Sequence, residues 1–183
     1  MTQQVLFIQG GGGDTHNEWD NKLVASLERE LGPDYEIRYP HMPNEADPKY
    51  ALWKAALKKE FAKLDDGAIL VGHSIGATIL INVLSEEPSD LSPSGIFLIA
   101  APFVGRGGWP SEDIEPMSDL GARLKEPWKV YLYHGSEDET APFGHVHLYE
   151  NAIPHAVVRR LAGRNHQLDE DMSEVAADIR RLA

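Results

Sequence analysis

The chain has 183 residues, 42% of them hydrophobic and 25% charged, a composition that suits one globular domain with a sizeable core. Its net charge of −12 repels phosphate backbones and anionic lipid, which argues against nucleic acid and membrane surfaces as partners. With no cysteine, disulfides, thiolate nucleophiles and thiolate metal sites are excluded together.

The N-terminal stretch MTQQVLFIQGG has no basic n-region. Its apolar run, Val5 to Ile8, is too short for a signal peptide or a membrane span. The chain therefore reads as soluble and cytoplasmic, a single domain over 1–183 with no internal repeat.

Val5 to Gln9 reads as a buried strand that runs into four glycines. A helix is expected next. Thr15 and Glu18 have capping-box spacing, and Trp19, Leu23, Leu27 and Leu31 form an apolar stripe that ends at Gly32-Pro33. Tyr35 to Tyr39 is the second strand. In the following helix, Asp47 suits the N-cap and Pro48 the first position, with Trp53, Leu57, Phe61 and Leu64 on the buried face. Strand Ala68 to Val71, helix Ile75 to Leu84 and strands Gly95 to Ala100, Val130 to His134 and Ala156 to Leu161 follow. The last helix carries Met172, Val175, Ile179 and Leu182 at helical spacing, with Arg180 and Arg181 where its dipole favours cations.

About six strands alternating with amphipathic helices predict an α/β fold with a mostly parallel sheet and helices on both faces. Ligands of such sheets bind beyond the carboxyl ends of the strands. One stretch on that side, Ala101 to Pro127, is rich in Gly and Pro and has only a short helical pattern near Ser118 to Leu124. It reads either as a cover over a pocket, with Phe103 and Trp109 lining it, or as a surface loop packed by its own aromatics.

Gly72-His73-Ser74-Ile75-Gly76 fits G-x-S-x-G between an apolar strand and an apolar helix. Such an elbow exposes the serine Oγ at the mouth of the sheet, and the glycines let strand and helix approach closely. A bare strand–turn–helix junction with a capping serine is the competing reading. A serine nucleophile needs a histidine base and a carboxylate behind it, in the chain order Ser, Asp or Glu, His. Asp138, after the fifth strand, and His166, after the sixth, satisfy that order. Glu137 and Glu139 are rivals for the carboxylate.

Among the other histidines, His134 reads as a strand-end structural residue, and His73 as packing beneath the elbow. His145 and His147 have metal-like spacing only if extended, whereas a helix is expected there. No metal site and no cofactor are expected. The oxyanion amides should come from Ile75, after the serine, and from Gly11 in the loop after the first strand. The glycines lack a following Gly-Lys-Ser/Thr, and no third glycine completes G-x-G-x-x-G, so nucleotide binding is disfavoured.

The set IQGGGGDTHNEW, LVGHSIGA, HGSEDETAP and GRNHQL resembles the α/β-hydrolase superfamily, over nearly the whole chain. Within it, the chain is similar to the small capless serine hydrolases related to the retinoblastoma-binding serine hydrolase and its bacterial relatives. The resemblance implies a minimal α/β-hydrolase fold without a large cap domain. It assigns Ser74, Asp138 and His166 to the triad, and Gly11 and Ile75 to the oxyanion amides by position. Relatives often have proline before the first loop glycine, and most α/β-hydrolases have His-Gly, whereas this chain has Gln9. The retinoblastoma-binding motif requires a cysteine, so that partner does not carry over. The implied activity is hydrolysis of an ester, thioester or amide of a small-molecule acyl substrate, falling as His166 is protonated near about pH 6.5. The alternative is a non-catalytic module of the same fold that binds a protein or metabolite.

Overall fold

The structure is a computed structural model, and it describes residues 2–86, 91–117, 119–125 and 128–182. Among them, six strands form one sheet: β1 (Gln3–Ile8), β2 (Tyr35–Arg38), β3 (Ile69–His73), β4 (Gly95–Ile99), β5 (Val130–Gly135) and β6 (Val157–Leu161). The order is β2-β1-β3-β4-β5-β6, and every pairing is parallel. The helices are α1 (Asp20–Leu31), α2 (Tyr50–Phe61), α3 (Ser74–Glu86), α4 (Leu120–Arg123), α5 (His145–Ala152) and α6 (Ser173–Arg180). Ser118, at the edge of the short helical pattern, lies outside the described residues. None of the described helices is long and apolar enough to cross a membrane.

The strands alternate their apolar side chains between two cores, as period-two geometry requires. Val5, Phe7, Ile69, Val71, Phe97 and Ile99 face α1 and α6. Leu6, Ile8, Leu70, Ile96 and Leu98 face α2, α3, α4 and α5. Both faces are thus covered, which explains why the strands read as continuous apolar runs. Helix α3 is buried along most of its length, from Gly76 to Ser85. Helix α6 is pinned by the buried Asp178, which accepts hydrogen bonds from Tyr133 Oη (2.7 Å) and Arg159 Nε (2.9 Å). Arg181 also donates to Asp178, at 2.8 Å, so its place at the helix end is set by a side chain as well as by the dipole.

Two expected helix starts differ. The Thr15–Glu18 capping box does not form: Thr15–Trp19 is a π-helical turn preceding α1, without a side-chain cap. A π turn holds an extra residue, so the apolar stripe slips out of phase at Trp19. Trp19 is 53% exposed and lies beneath the Lys22 ammonium, while Leu23, Leu27 and Leu31 are buried as expected. At α2, Asp47 and Pro48 precede the helix and Lys49 occupies the N-cap. The carboxylate that meets the helix start comes from Asp113, 63 residues away, which accepts from Tyr50 N at 2.8 Å. Trp53 and Leu57 are fully buried, and Phe61 and Leu64 pack partly buried against the same core.

The strand registers bring the carboxyl ends to one edge. Ile8 pairs with Gly72, His73 with Ile99, and Gly135 with Leu161. The tightest approach at that edge is between α3 and the end of β1. A methyl group at Gly76 would lie 2.0 Å from the Gln9 carbonyl oxygen. Gly76→Ala is therefore expected to lower stability by about 1–3 kcal/mol or more through overpacking. Gly13→Ala, where a methyl group meets nothing within 4 Å, should leave it unchanged or slightly higher. Urea midpoints of the two variants check this pair of outcomes.

Candidate active site

Ser74 sits where β3 turns into α3, with a backbone φ of 52°. A non-glycine residue at positive φ is strained, by roughly 1–3 kcal/mol, and persists only where its surroundings fix it. The two glycines of the elbow supply that fixing by letting chains touch. A methyl at Gly72 would lie 2.6 Å from Ala77 Cα, in the helix that the elbow starts. The Gly76 contact is with the neighbouring strand's end rather than with β3 itself. The Ser74 hydroxyl is left partly exposed at the sheet edge.

The structure brings Ser74, His166 and Asp138 into one line. Ser74 Oγ donates toward His166 Nε2 at 3.0 Å, and His166 Nδ1 donates to Asp138 Oδ2 at 2.8 Å. Asp138 Oδ1 accepts the amides of Thr140 and Ala141, each at 2.8 Å. Glu137 and Glu139 are exposed, and Asp138 is buried. Burial pushes the Asp138 carboxyl up, but the hydrogen bonds from His134 and His166 and the Ala141 amide outweigh it and hold it well below the usual carboxylate range. For His166, burial pushes the pKa down, and the nearby His73 adds to that. Together they outweigh the hydrogen bond and charge of Asp138. The balance favours the neutral imidazole, with Nδ1 facing Asp138 and Nε2 facing Ser74.

The loop that carries His166 is built for this position. Asn165 Oδ1 accepts the amides of Gln167 (2.8 Å) and Asp169 (3.0 Å). Leu168, Asp169 and Glu170 follow at positive φ, and Leu168 anchors the turn fully buried.

The glycine loop after β1 passes against the elbow. The Gly10 amide donates to Asp20 Oδ2 at 2.6 Å, and the Gly12 amide to the Glu45 carbonyl at 2.7 Å. Between them, the Gly11 amide has no hydrogen-bond acceptor among the described residues. A methyl at Gly11 would lie 2.9 Å from Ile75 Cγ2 and 2.5 Å from Pro48 Cγ, so the loop is held against the first turn of α3. The Ile75 amide belongs to that first turn, where backbone N–H groups have no intrahelical partner. Gln9 anchors the start of the glycine loop through its side chain. Its side chain accepts from Met42 N at 2.9 Å and donates to Glu45 Oε2 at 2.5 Å, so it ties the glycine loop to the segment before α2.

Sequence reasoning missed two participants. His134 is more than a strand-end residue: its Nε2 donates to the Ala141 carbonyl at 2.9 Å and lies 3.3 Å from Asp138 Oδ2. The four-residue spacing from His134 to Asp138 across a turn was the available signal. Asp20 is fully buried beneath the glycine loop, and its contacts come from two distant segments. No local pattern marks it. His73 is buried beneath the elbow, where its Nδ1 faces Asp20 Oδ2 and its Nε2 the His166 carbonyl oxygen. His145 lies at the start of α5, where its Nδ1 accepts the Phe103 amide at 2.9 Å. Among the described residues, no group of three or more His, Cys, Asp or Glu is arranged to hold a metal ion.

The segment after β4 fits neither of its expected readings in full. Trp109 N donates to the Phe103 carbonyl and Gly105 N to the Trp109 carbonyl, so the segment packs on itself. Phe103 is buried edge-on against Tyr149, and Trp109 is partly exposed over His145. Phe103 also lines a cavity of about 540 Å³, with Val104, Met117 and Leu148, between this segment and α5; Trp109 does not. Glu126 and Pro127, at the end of the segment, lie outside the described residues.

A parallel sheet of this order, with a strained serine on the turn after β3 and no inserted cap domain, is a minimal α/β-hydrolase fold. The chain belongs to the serine hydrolase family, whose model matches residues 5–153. The match ends before His166. Among solved structures, the ydeN gene product of B. subtilis is similar at 19% identity and a TM-score of 0.78, covering 99% of this chain and 98% of that one. The esterase domain of a Rhodothermus marinus protein is similar at 20% identity and a TM-score of 0.70, covering 99% and 88%. An esterase from Exiguobacterium antarcticum is similar at 14% identity and a TM-score of 0.71, covering 98% and 91%. No curated protein matches the chain.

The electrostatics give a signed expectation for His166. It should titrate below the ordinary imidazole value of about 6.5, because burial disfavours its charged form. Asp138→Asn removes an interaction that favours the imidazolium, so the variant should titrate lower still. Side-chain ¹H–¹⁵N NMR across pH 4 to 8 measures both values, and a wild-type value above the variant's is the expected order.

Proposed function

We propose that this hydrolase cleaves an ester, thioester or amide of a small acyl substrate through an acyl-enzyme on Ser74. The observation that most supports this reading is the single imidazole of His166, within hydrogen-bond reach of both the strained serine hydroxyl and a buried carboxylate.

In this mechanism, His166 Nε2 takes the Ser74 proton as Oγ attacks the acyl carbonyl carbon. Negative charge gathers on the carbonyl oxygen and is met by the amides of Gly11 and Ile75. The imidazolium then gives its proton to the departing alcohol, thiol or amine, and the acyl group remains on Oγ. Water, deprotonated by His166, attacks the acyl-enzyme, and the acid leaves as Ser74 recovers its proton. Asp138 stays ionised throughout. It holds the tautomer with Nδ1 protonated and stabilises the imidazolium that forms in each half-reaction. His134 and the amides of Thr140 and Ala141 keep that carboxylate oriented.

A fluorophosphonate probe, which needs only an activated serine, tests the reading without knowledge of the substrate. Wild-type protein should be labelled at Ser74, and Ser74→Ala should not be. Hydrolysis of p-nitrophenyl esters by Ser74→Ala should fall by at least about 10³-fold. Activity should be lost toward low pH along a limb that inflects below about 6.5, since the base must be unprotonated. Absence of labelling in folded wild-type protein would reject the mechanism in favour of a binding module.

A further inference from the structure

We propose, on the reading that Ser74 is the nucleophile, that Asp20 and His73 are positioning residues of this site. They form a buried carboxylate–imidazolium pair that fixes the oxyanion loop through Gly10 and the base loop through the backbone carbonyl of His166.

The geometry constrains the protons. His73 Nε2 faces the His166 carbonyl oxygen at 3.0 Å, and its Nδ1 faces Asp20 Oδ2 at 2.9 Å. A carbonyl can only accept, so Nε2 carries a proton. The Asp20 oxygen also accepts the Gly10 amide at 2.6 Å, which favours an ionised carboxylate facing a protonated Nδ1. His73 is then an imidazolium held against a carboxylate, both essentially without solvent exposure. Burial pushes His73 toward its neutral form, but the charge and hydrogen bond of Asp20 outweigh it and raise its pKa. Burial pushes the Asp20 carboxyl up, and His73 and the Gly10 amide outweigh that in turn. The titratable groups facing the pair are His166 and Asp138, from the loops after β6 and β5, and Tyr39, just past β2.

Two consequences reach the reacting atoms. Fixing the Gly10 amide constrains the direction of the next one, Gly11, which has no acceptor among the described residues. A methyl at Gly10 would lie 3.1 Å from Ser74 Cβ and 3.3 Å from His73 Nδ1, so the loop, the elbow and the pair form one packed unit. On the other side, the His73 ring lies 4.8 Å from the His166 ring, centroid to centroid. Its fixed positive charge opposes a second proton on His166 and keeps the base in its working form. A neutral packing residue at position 73 would supply neither the anchored carbonyl nor that charge.

The test is the rate of fluorophosphonate labelling against pH in wild type, His73→Asn and His73→Gln, with circular dichroism to confirm folding. Labelling of the variants should slow by on the order of 10- to 100-fold. Their acidic limb should also move to higher pH, a shift that a loss of packing alone does not produce. Variants that label at the wild-type rate with an unmoved limb overturn this proposal and leave the hydrolase reading standing. A wild type that is not labelled overturns that reading, and this inference with it. Side-chain ¹H–¹⁵N NMR of the wild type needs no variant to fold. Both His73 ring nitrogens should carry protons at pH 7, and one bare ring nitrogen overturns the pair as drawn.

Discussion

The close approach of α3 to the end of β1 is the constraint on which the site is built. It depends on Gly76, whose missing side chain admits the Gln9 carbonyl. Because that contact is backbone on backbone, the glycine loop cannot drift from the elbow without opening the sheet edge. Gly10 is then packed against the side chains of Ser74, His73 and Asp20, and Gly11 against those of Ile75 and Pro48. The positive φ of Ser74 is the local strain of this arrangement, and the parallel pairing of β1 with β3 offsets it.

Around this rigid junction, the charges are arranged in two buried carboxylate–histidine pairs joined through one loop. Asp138 and His166 lead to the serine hydroxyl; Asp20 and His73 lie beneath it. The pairs share His166: the first uses its ring, and the second holds its backbone carbonyl. Burial penalises every isolated charge here, so each carboxylate survives as an anion only because it accepts several hydrogen bonds. The outcome is asymmetric. His73 is driven toward its charged form and His166 toward its neutral form, although the two rings are in contact. What separates them is the acceptor count. His73 meets an acceptor at each nitrogen, whereas His166 meets one at Nδ1 and the serine hydroxyl, which can donate, at Nε2.

What was legible in the sequence was what local pattern encodes. The strands showed as apolar runs because both sheet faces are covered, and G-x-S-x-G showed because a sharp strand-to-helix turn leaves few residue choices. The order of Ser74, Asp138 and His166 followed once the strands were placed. Features created by tertiary contact were not legible. The helix α2 start receives its carboxylate from Asp113, 63 residues along the chain, so the nearby Asp47 was a false signal. The Thr15–Glu18 spacing was equally false, since the π turn there serves to aim Asp20 inward at Gly10 and His73. Asp20 itself was invisible: an acidic residue at the start of a helix is ordinary, and only the fold shows that it is buried.

Gln9 ties the glycine loop to the segment that leads into α2. A proline at that position would stiffen the loop by fixing its own φ and would offer no side-chain hydrogen bond. Gln9 reaches the same end by another route, spanning from the glycine loop to Met42 and Glu45. Glu45 in turn accepts the His16 amide through its side chain and the Gly12 amide through its carbonyl. The Gly10 and Gly12 amides are thereby used by the scaffold, one by Asp20 and one by Glu45. The Gly11 amide between them is left with an orientation but no acceptor among the described residues. That is the state an oxyanion donor needs before substrate arrives, because a donor already bonded would have to be freed at the moment of reaction.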